Sequence, residues 1–182
     1  MKLVTSNRGK YAEYKAIMDS VGVEMELLLM SYPEEQLDTI EEVAERSANY
    51  LKGVVAGDFF IDDSGLFIES LGGFPGVYSS YVNRTLGNRG VLKLMEGDKN
   101  RNAEFRTCIV YYNGELKLFS GKTSGKISDM MRGSNGFGFD PIFIPNQQDK
   151  TYAEMTTEGK NSVSHRSKAT MAFLEFLKKK TI

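Results

Sequence analysis

Cysteine and histidine are almost missing from this chain, which has one of each in 182 residues. A single Cys108 excludes an intramolecular disulfide. One cysteine with one histidine argues against a structural zinc centre, which needs four nitrogen or sulfur ligands. Cys108 lies within Phe105–Tyr112 and reads as a small buried apolar residue. An excess of either charge is missing too. With 23 basic and 24 acidic side chains the formal net charge is −1. That balance argues against a general nucleic-acid binder, which carries a basic excess, but leaves room for a local pocket that takes a small anion. No apolar run approaches the roughly 20 residues of a membrane-spanning helix. The first residues lack the apolar segment of a signal peptide. The chain has no repeat, linker or low-complexity tract, and 41% of it is hydrophobic. These features predict a cytoplasmic protein without membrane partners, folded as one domain over residues 1–182 around a sizeable core.

What is present alternates between strand and helix patterns. Lys2–Thr5 reads as a first strand, followed by a polar loop, Ser6-Asn7-Arg8-Gly9-Lys10. Tyr11, Tyr14, Ile17, Met18 and Val21 fall at helical spacing, and Gly22 stops the helix. Val23–Met30 fits a second strand, giving a βαβ opening. Ile40, Val43, Ala44, Ser47, Ala48 and Leu51 predict a helix whose capping box is Thr39 with Glu42. Phe59–Asp62 and Leu66–Glu69 read as strands, Asn88–Glu96 as a helix. Asn113-Gly114 between Ala103–Tyr112 and Glu115–Gly121 is a hairpin signal, with Lys122–Asp129 as a third antiparallel strand and Pro141–Ile144 as a short one. A last helix spans His165 to Lys179, capped by Ser164, with Lys178, Lys179 and Lys180 at the negative end of its dipole. The order predicts an α/β fold: a mixed sheet flanked by helices, with two lobes and a groove between them.

Four stretches can carry chemistry. Phe59-Phe60-Ile61-Asp62-Asp63-Ser64-Gly65 runs an apolar strand into two carboxylates. Two acids there need a compensating cation, and Mg²⁺ beside a phosphate is satisfied by one or two carboxylates. The competing reading is a plain turn, with Gly65 bending the chain sharply. Thr5-Ser6-Asn7-Arg8-Gly9-Lys10 lies between strand and helix, where backbone N–H groups and a lysine suit a phosphate, although the G-x-x-x-x-G-K-[ST] pattern is absent. Gly136-Phe137-Gly138-Phe139-Asp140-Pro141 places aromatics either to stack on a base or to plug the core. Lys160, His165 and Arg166 converge where the last helix opens and an anion is welcome. Glu34, after Pro33, gains interest only if the fold brings it near Asp63.

With these stretches in view the chain resembles the inosine triphosphate pyrophosphatase family. The matching pieces are Thr5–Lys10, Pro33-Glu34, Asp62–Leu66, Gly73-Phe74-Pro75-Gly76, Gly136–Pro141, and Ser164-His165-Arg166 with Lys160 upstream. They occur in the family's order over nearly the whole chain. The resemblance implies an elongated mixed sheet, a two-lobed homodimer and Mg²⁺-dependent cleavage of aberrant purine nucleoside triphosphates (ITP, dITP, XTP) to the monophosphate and pyrophosphate. It implies Glu34 and Asp63 as metal ligands and Asp63 as proton acceptor, with Asp62 and Lys10 beside it in catalysis. Thr5, Ser6, Asn7, Arg8, Gly9, Lys10, Ser64, Phe137, Gly138, Phe139, Asp140, Lys160, His165 and Arg166 would contact substrate. Ser6 stands where many members have glycine and Phe139 where many have tyrosine. Which of Asp62 and Asp63 activates water stays open at this level. So do two other functions: a septum-associated type of nucleotide pyrophosphatase, and a non-hydrolytic nucleotide-binding regulator.

Overall fold

A computed structural model of the protein describes residues 1–180; the side chain of Lys180 and residues 181–182 lie outside that description. So do the expected dipole role of Lys180 and the last two residues of the expected domain. Six strands form one sheet in the order β2-β1-β3-β4-β5-β6. β1 (Lys2–Thr5) runs parallel to both β2 (Glu26–Leu29) and β3 (Phe59–Ile68). β3, β4 (Asn102–Tyr112), β5 (Leu116–Ile127) and β6 (Phe143–Pro145) are antiparallel in turn. The expected mixed sheet is present.

Side chains alternate along β1 and β3, and the alternation sorts them into two cores. Leu3 and Phe60 face α1 (Arg8–Ser20) and α6 (His165–Lys180), packing with Tyr14 and Phe173. Val4, Phe59 and Ile61 face the other side, against Ile40, Ala44 and Leu51 of α2 (Ile40–Leu51). Cys108 belongs to this second core and is fully buried. A third core lies farther along the sheet. It joins Leu66 and Ile68 to Val82 of α3 (Ser79–Thr85), Val91 of α4 (Gly87–Leu94), and Phe105, Phe143 and Tyr152. The first two cores, around the start of β3, make the first lobe and the third core, around its far end, the second lobe, with Asp62-Asp63-Ser64 at their junction.

Several expected elements are revised. Gly65 does not turn the chain: β3 continues to Ile68, and β4 pairs with it throughout. Glycine is required there by space, because a Cβ would lie 2.5 Å from the Gly76 carbonyl oxygen. α1 begins at Arg8, not Tyr11, because the Asn7 side chain accepts from the N–H groups of Gly9 and Lys10. β2 is shorter than Val23–Met30. The two strands expected over 115–129 are one, β5; Gly121 is no break but the place where α6 comes too close for any side chain. A 3-10 turn takes Asp140–Ile142, so the last strand starts at Phe143. α3 and α5 (Thr157–Asn161) carry no clear periodic signal, being only 7 and 5 residues long. The capping box of Thr39 and Glu42 is present, as is the hairpin at Asn113-Gly114, where Gly114 has φ of 98°.

Candidate active site

The lobes enclose a cavity of about 480 Å³. Of the residues expected to act, Thr5, Ser6, Asn7, Lys10, Glu34, Asp63, Ser64, Phe137, Gly138, Phe139, Asp140, Lys160, His165 and Arg166 all line it. Arg8 points elsewhere and is exposed; Gly9 and Asp62 lie behind the wall.

The twin acids part because β3 is a strand through both. Asp62 faces the α1/α6 side with Phe60. Asp63 faces the opposite side, toward the loop that carries Glu34. Asp62 is buried among cations: Lys10 Nζ lies 3.1 Å from Oδ1 as an ion pair without hydrogen-bond geometry, and Arg166 Nε and Nη2 lie 3.3 Å from Oδ2. Ser64 donates to Oδ2 at 2.9 Å and shares a 2.6 Å hydrogen bond with Thr107 of β4. Burial pushes the Asp62 carboxyl up, but Lys10 and Arg166 outweigh it and hold it below its ordinary value. Asp62 is therefore a fixed anion that orients two cations.

Asp63 is the opposite case. Its Oδ2 is buried and has no partner. Burial, joined by the negative charge of Glu34, raises its pKa to about 7 against the opposing pull of Lys10. Burial, and then the charges of Asp62, Glu34 and Asp63, lift the Tyr32 phenol well above its usual range. An orphaned carboxylate oxygen, a second acid within electrostatic reach and a neutral phenol make a spot whose negative charge the nearby Lys10 does not fully offset. Oxygen-only donors of this kind suit a hard divalent cation that a phosphate helps to hold. Among the described residues no three acids, histidines or cysteines converge as a closed metal cage.

Beneath the cavity lies an ion network that the sequence reading missed at one member, Glu13. Its two carboxylate oxygens meet Lys160 Nζ and Arg166 Nη1 at 2.5 Å each. Lys160 also meets Asp140 Oδ2 at 2.5 Å. Burial alone would raise the Glu13 carboxyl, yet Arg166 and Lys160 bring it below its ordinary value. For Asp140 burial wins and the carboxyl is raised despite Lys160. Glu13 stands one helical turn from Lys10 on α1. That spacing points to it once the helix is known to start at Arg8. Arg166 accordingly gives its fork to Glu13, Asp62 and Ser64 and is fully buried.

Asp140 Oδ2 also accepts from the Phe137 N–H at 2.8 Å, closing the loop whose Gly136 and Gly138 have φ of 73° and 64°. Phe137 is half-buried and lies against Gly9, where a Cβ would overlap its ring. Lys160 Nζ is 4.9 Å and Arg166 Cζ 5.6 Å from the ring centroid. Phe139 is 3% exposed and belongs to the second lobe's core, so of the two rings Phe137 is the one free to stack. The apolar site of Phe139 needs no hydroxyl. His165 is buried and stacked on Phe105 at 4.6 Å. Burial and the neighbouring Arg166 and Lys160 charges depress its pKa strongly, so the ring is neutral. The far wall comes from α3, which presents Ser80, Asn83 and Arg84 to the cavity; no motif in the sequence signalled it.

Fold and site together define a two-lobed α/β protein with one polar groove between its lobes. A sequence model of the Ham1 family matches residues 1–176, and the chain belongs to that family. It is 55% identical over 178 residues to a protein of Thermococcus kodakarensis named dITP/XTP pyrophosphatase, covering 98% of this chain and 97% of that one. A protein of the same name from Pyrococcus horikoshii is 53% identical over 176 residues, covering 96% and 95%. The solved structure of a HAM1 protein from Coxiella burnetii superposes with a TM-score of 0.84 at 28% identity, covering 98% of this chain and 99% of that one. These likenesses bear out the resemblance and the α/β fold drawn from the sequence. No helix among the described residues is long and apolar enough to cross a membrane.

Proposed function

We propose that the protein hydrolyses non-canonical purine nucleoside triphosphates (dITP, ITP, XTP) to the monophosphate and pyrophosphate. The supporting observation is the unpartnered, proton-holding carboxyl of Asp63 on the floor of a cavity whose phosphate-loop, aromatic-loop and cation residues converge. Near-full-length identity to relatives named dITP/XTP pyrophosphatase supports the substrate class.

Asp63 and Glu34 would hold Mg²⁺, which supplies charge neutralisation on the phosphates when bound. The value of about 7 belongs to the metal-free carboxyl and a bound dication would lower it, leaving Asp63 a carboxylate that would take the proton of the attacking water. Water's oxygen ends on one side of the α–β anhydride; the bridging oxygen leaves with the other product. Lys10, fixed by the Asp62 carboxyl and its main-chain carbonyl at 2.9 Å, aims its ammonium at this edge. Thr5, Ser6 and Asn7 line the phosphate end, although Asn7 already caps two of the helix N–H groups. Phe137 stacks on the base. The resemblance implies a homodimer, and the sequence composition a cytoplasmic location.

Incubating the protein with ITP and Mg²⁺ should release inosine monophosphate and pyrophosphate in equal amounts. Orthophosphate as the first inorganic product would overturn this reading.

A further inference from the structure

Every cation on the cavity floor has an acid of its own. Lys10 pairs with Asp62, Lys160 with Glu13 and Asp140, and Arg166 with Glu13 and Asp62. Asp63 and Glu34 then tip the lining toward negative charge, which a divalent cation between them would offset. A triphosphate entering this groove still needs positive charge for its tail.

Arg84 is placed to supply it. It lines the cavity from α3 and is exposed, and its side chain forms no ion pair and no hydrogen bond with the described residues. The charge contact it does make is with its own helix, its guanidinium lying 5.7 Å from the centroid of the Tyr81 ring. Ser80 and Asn83 share its helix face and line the same cavity, three to four residues apart being neighbours on a helix. The helix is firmly seated. Ser79 Oγ donates to the Gly76 carbonyl at 2.7 Å and accepts from the Leu66 N–H at 2.8 Å, two residues beyond Ser64 on β3. Val82, on the opposite face, is buried in the second lobe's core. An unpaired guanidinium on a fixed helix, facing a groove whose other cations are neutralised, matches an anion that arrives with the ligand. Its planar fork suits two phosphate oxygens at once.

We infer that Arg84, with Ser80 and Asn83 beside it, forms the subsite for the terminal phosphates of the substrate and holds them as they leave as pyrophosphate. The inference rests on the triphosphate reading above. It assigns the leaving group's charge to α3, across the groove from the strand-to-helix loop of Thr5–Lys10.

Magnesium pyrophosphate binding can be titrated calorimetrically into wild type, Arg84→Ala and Arg84→Lys, with inosine monophosphate as the control ligand. Pyrophosphate affinity should fall at least about tenfold in Arg84→Ala, the size of a lost charge-assisted contact. Lysine should restore part of it, lacking the fork. Monophosphate affinity should not change, and the kcat/KM for ITP should fall with pyrophosphate affinity. Unchanged pyrophosphate affinity, or equal losses for both ligands, would overturn the assignment. The titration needs no turnover. A wild type that releases no pyrophosphate from ITP would therefore sink the triphosphate reading separately from the subsite.

Discussion

Neighbouring residues of the same type hold opposite charge states here, and strand geometry is the cause. Asp62 and Asp63 are adjacent, but one lies among cations and the other opposite Glu34, so burial is compensated at the first and not at the second. Folded Asp63 keeps its proton up to about pH 7, whereas an unfolded aspartate loses it near 3.8. Between those values the native state binds the extra proton, so stability falls as pH rises through that window. Asp63→Asn should remove this penalty. Without divalent cation at pH 8 its melting temperature should exceed wild type by at least ~2 °C, and the difference should vanish at pH 4. Turnover of ITP with Mg²⁺ should drop at least ~100-fold, as expected for a lost general base. Turnover close to wild type would end the assignment of Asp63. The sequence showed the pair of acids but not their division. Asp-Ser-Gly has the composition of a turn, and only pairing with β4 keeps it extended.

Elements meet at the site through charge as much as through apolar packing. Glu13 on α1 grips Lys160 at the end of α5 and Arg166 in the first turn of α6, and Arg166 reaches on to β3. Removing one partner of such a buried set leaves the others uncompensated, at a cost of about 3–5 kcal/mol. Urea unfolding of Glu13→Gln at pH 7 should show a loss of that size. A midpoint equal to that of wild type would mean that the network contributes nothing to holding α1 against α6. Because Glu13 and Asp62 both titrate below their ordinary range, their contribution is present at neutral pH and is lost as pH falls through their folded values. Long periodic elements such as α2 were legible because capping and apolar spacing agree. The start of α1 was not, since Asn7 caps it through a side chain inside what reads as a polar loop. Ion pairs spanning 147 or 153 residues leave no local pattern at all.

At the scale of the molecule the phosphate end of the groove draws on both lobes and the other end on the second alone. The first lobe and α3 surround the phosphate end; the 136–140 loop, packed on the second lobe's core, brings Phe137 to the other. Ordered motifs in the sequence told which segments belong together, while the groove's far wall stayed hidden because α3 is too short to show a period. The division predicts how base selectivity behaves. ITP, XTP, GTP and ATP share one triphosphate, so discrimination belongs to the base end. Hypoxanthine offers a carbonyl at position 6 and an N–H at position 1, the reverse of adenine's amino donor and ring-nitrogen acceptor. Guanine keeps the carbonyl but adds a 2-amino group, where xanthine has an acceptor. Groups fixed to greet the hypoxanthine pattern are left unpaired by adenine. Such mismatch supports a preference of at least roughly 100-fold for ITP and XTP in kcat/KM. Stacking is blind to these edges and is worth about 1–3 kcal/mol per base. Phe137→Ala should therefore lower kcat/KM for all four nucleotides together and leave their ratios unchanged. Arg166 is buried and hydrogen-bonded to Glu13, Asp62 and Ser64 at the cavity wall, so it helps orient the site from beneath. Specificity constants for the four nucleotides, with wild type and Phe137→Ala, test both halves. A wild type that hydrolyses ATP as well as ITP would refute the polar pocket, and a variant whose ITP-to-ATP ratio collapses would make Phe137 a reader of the base.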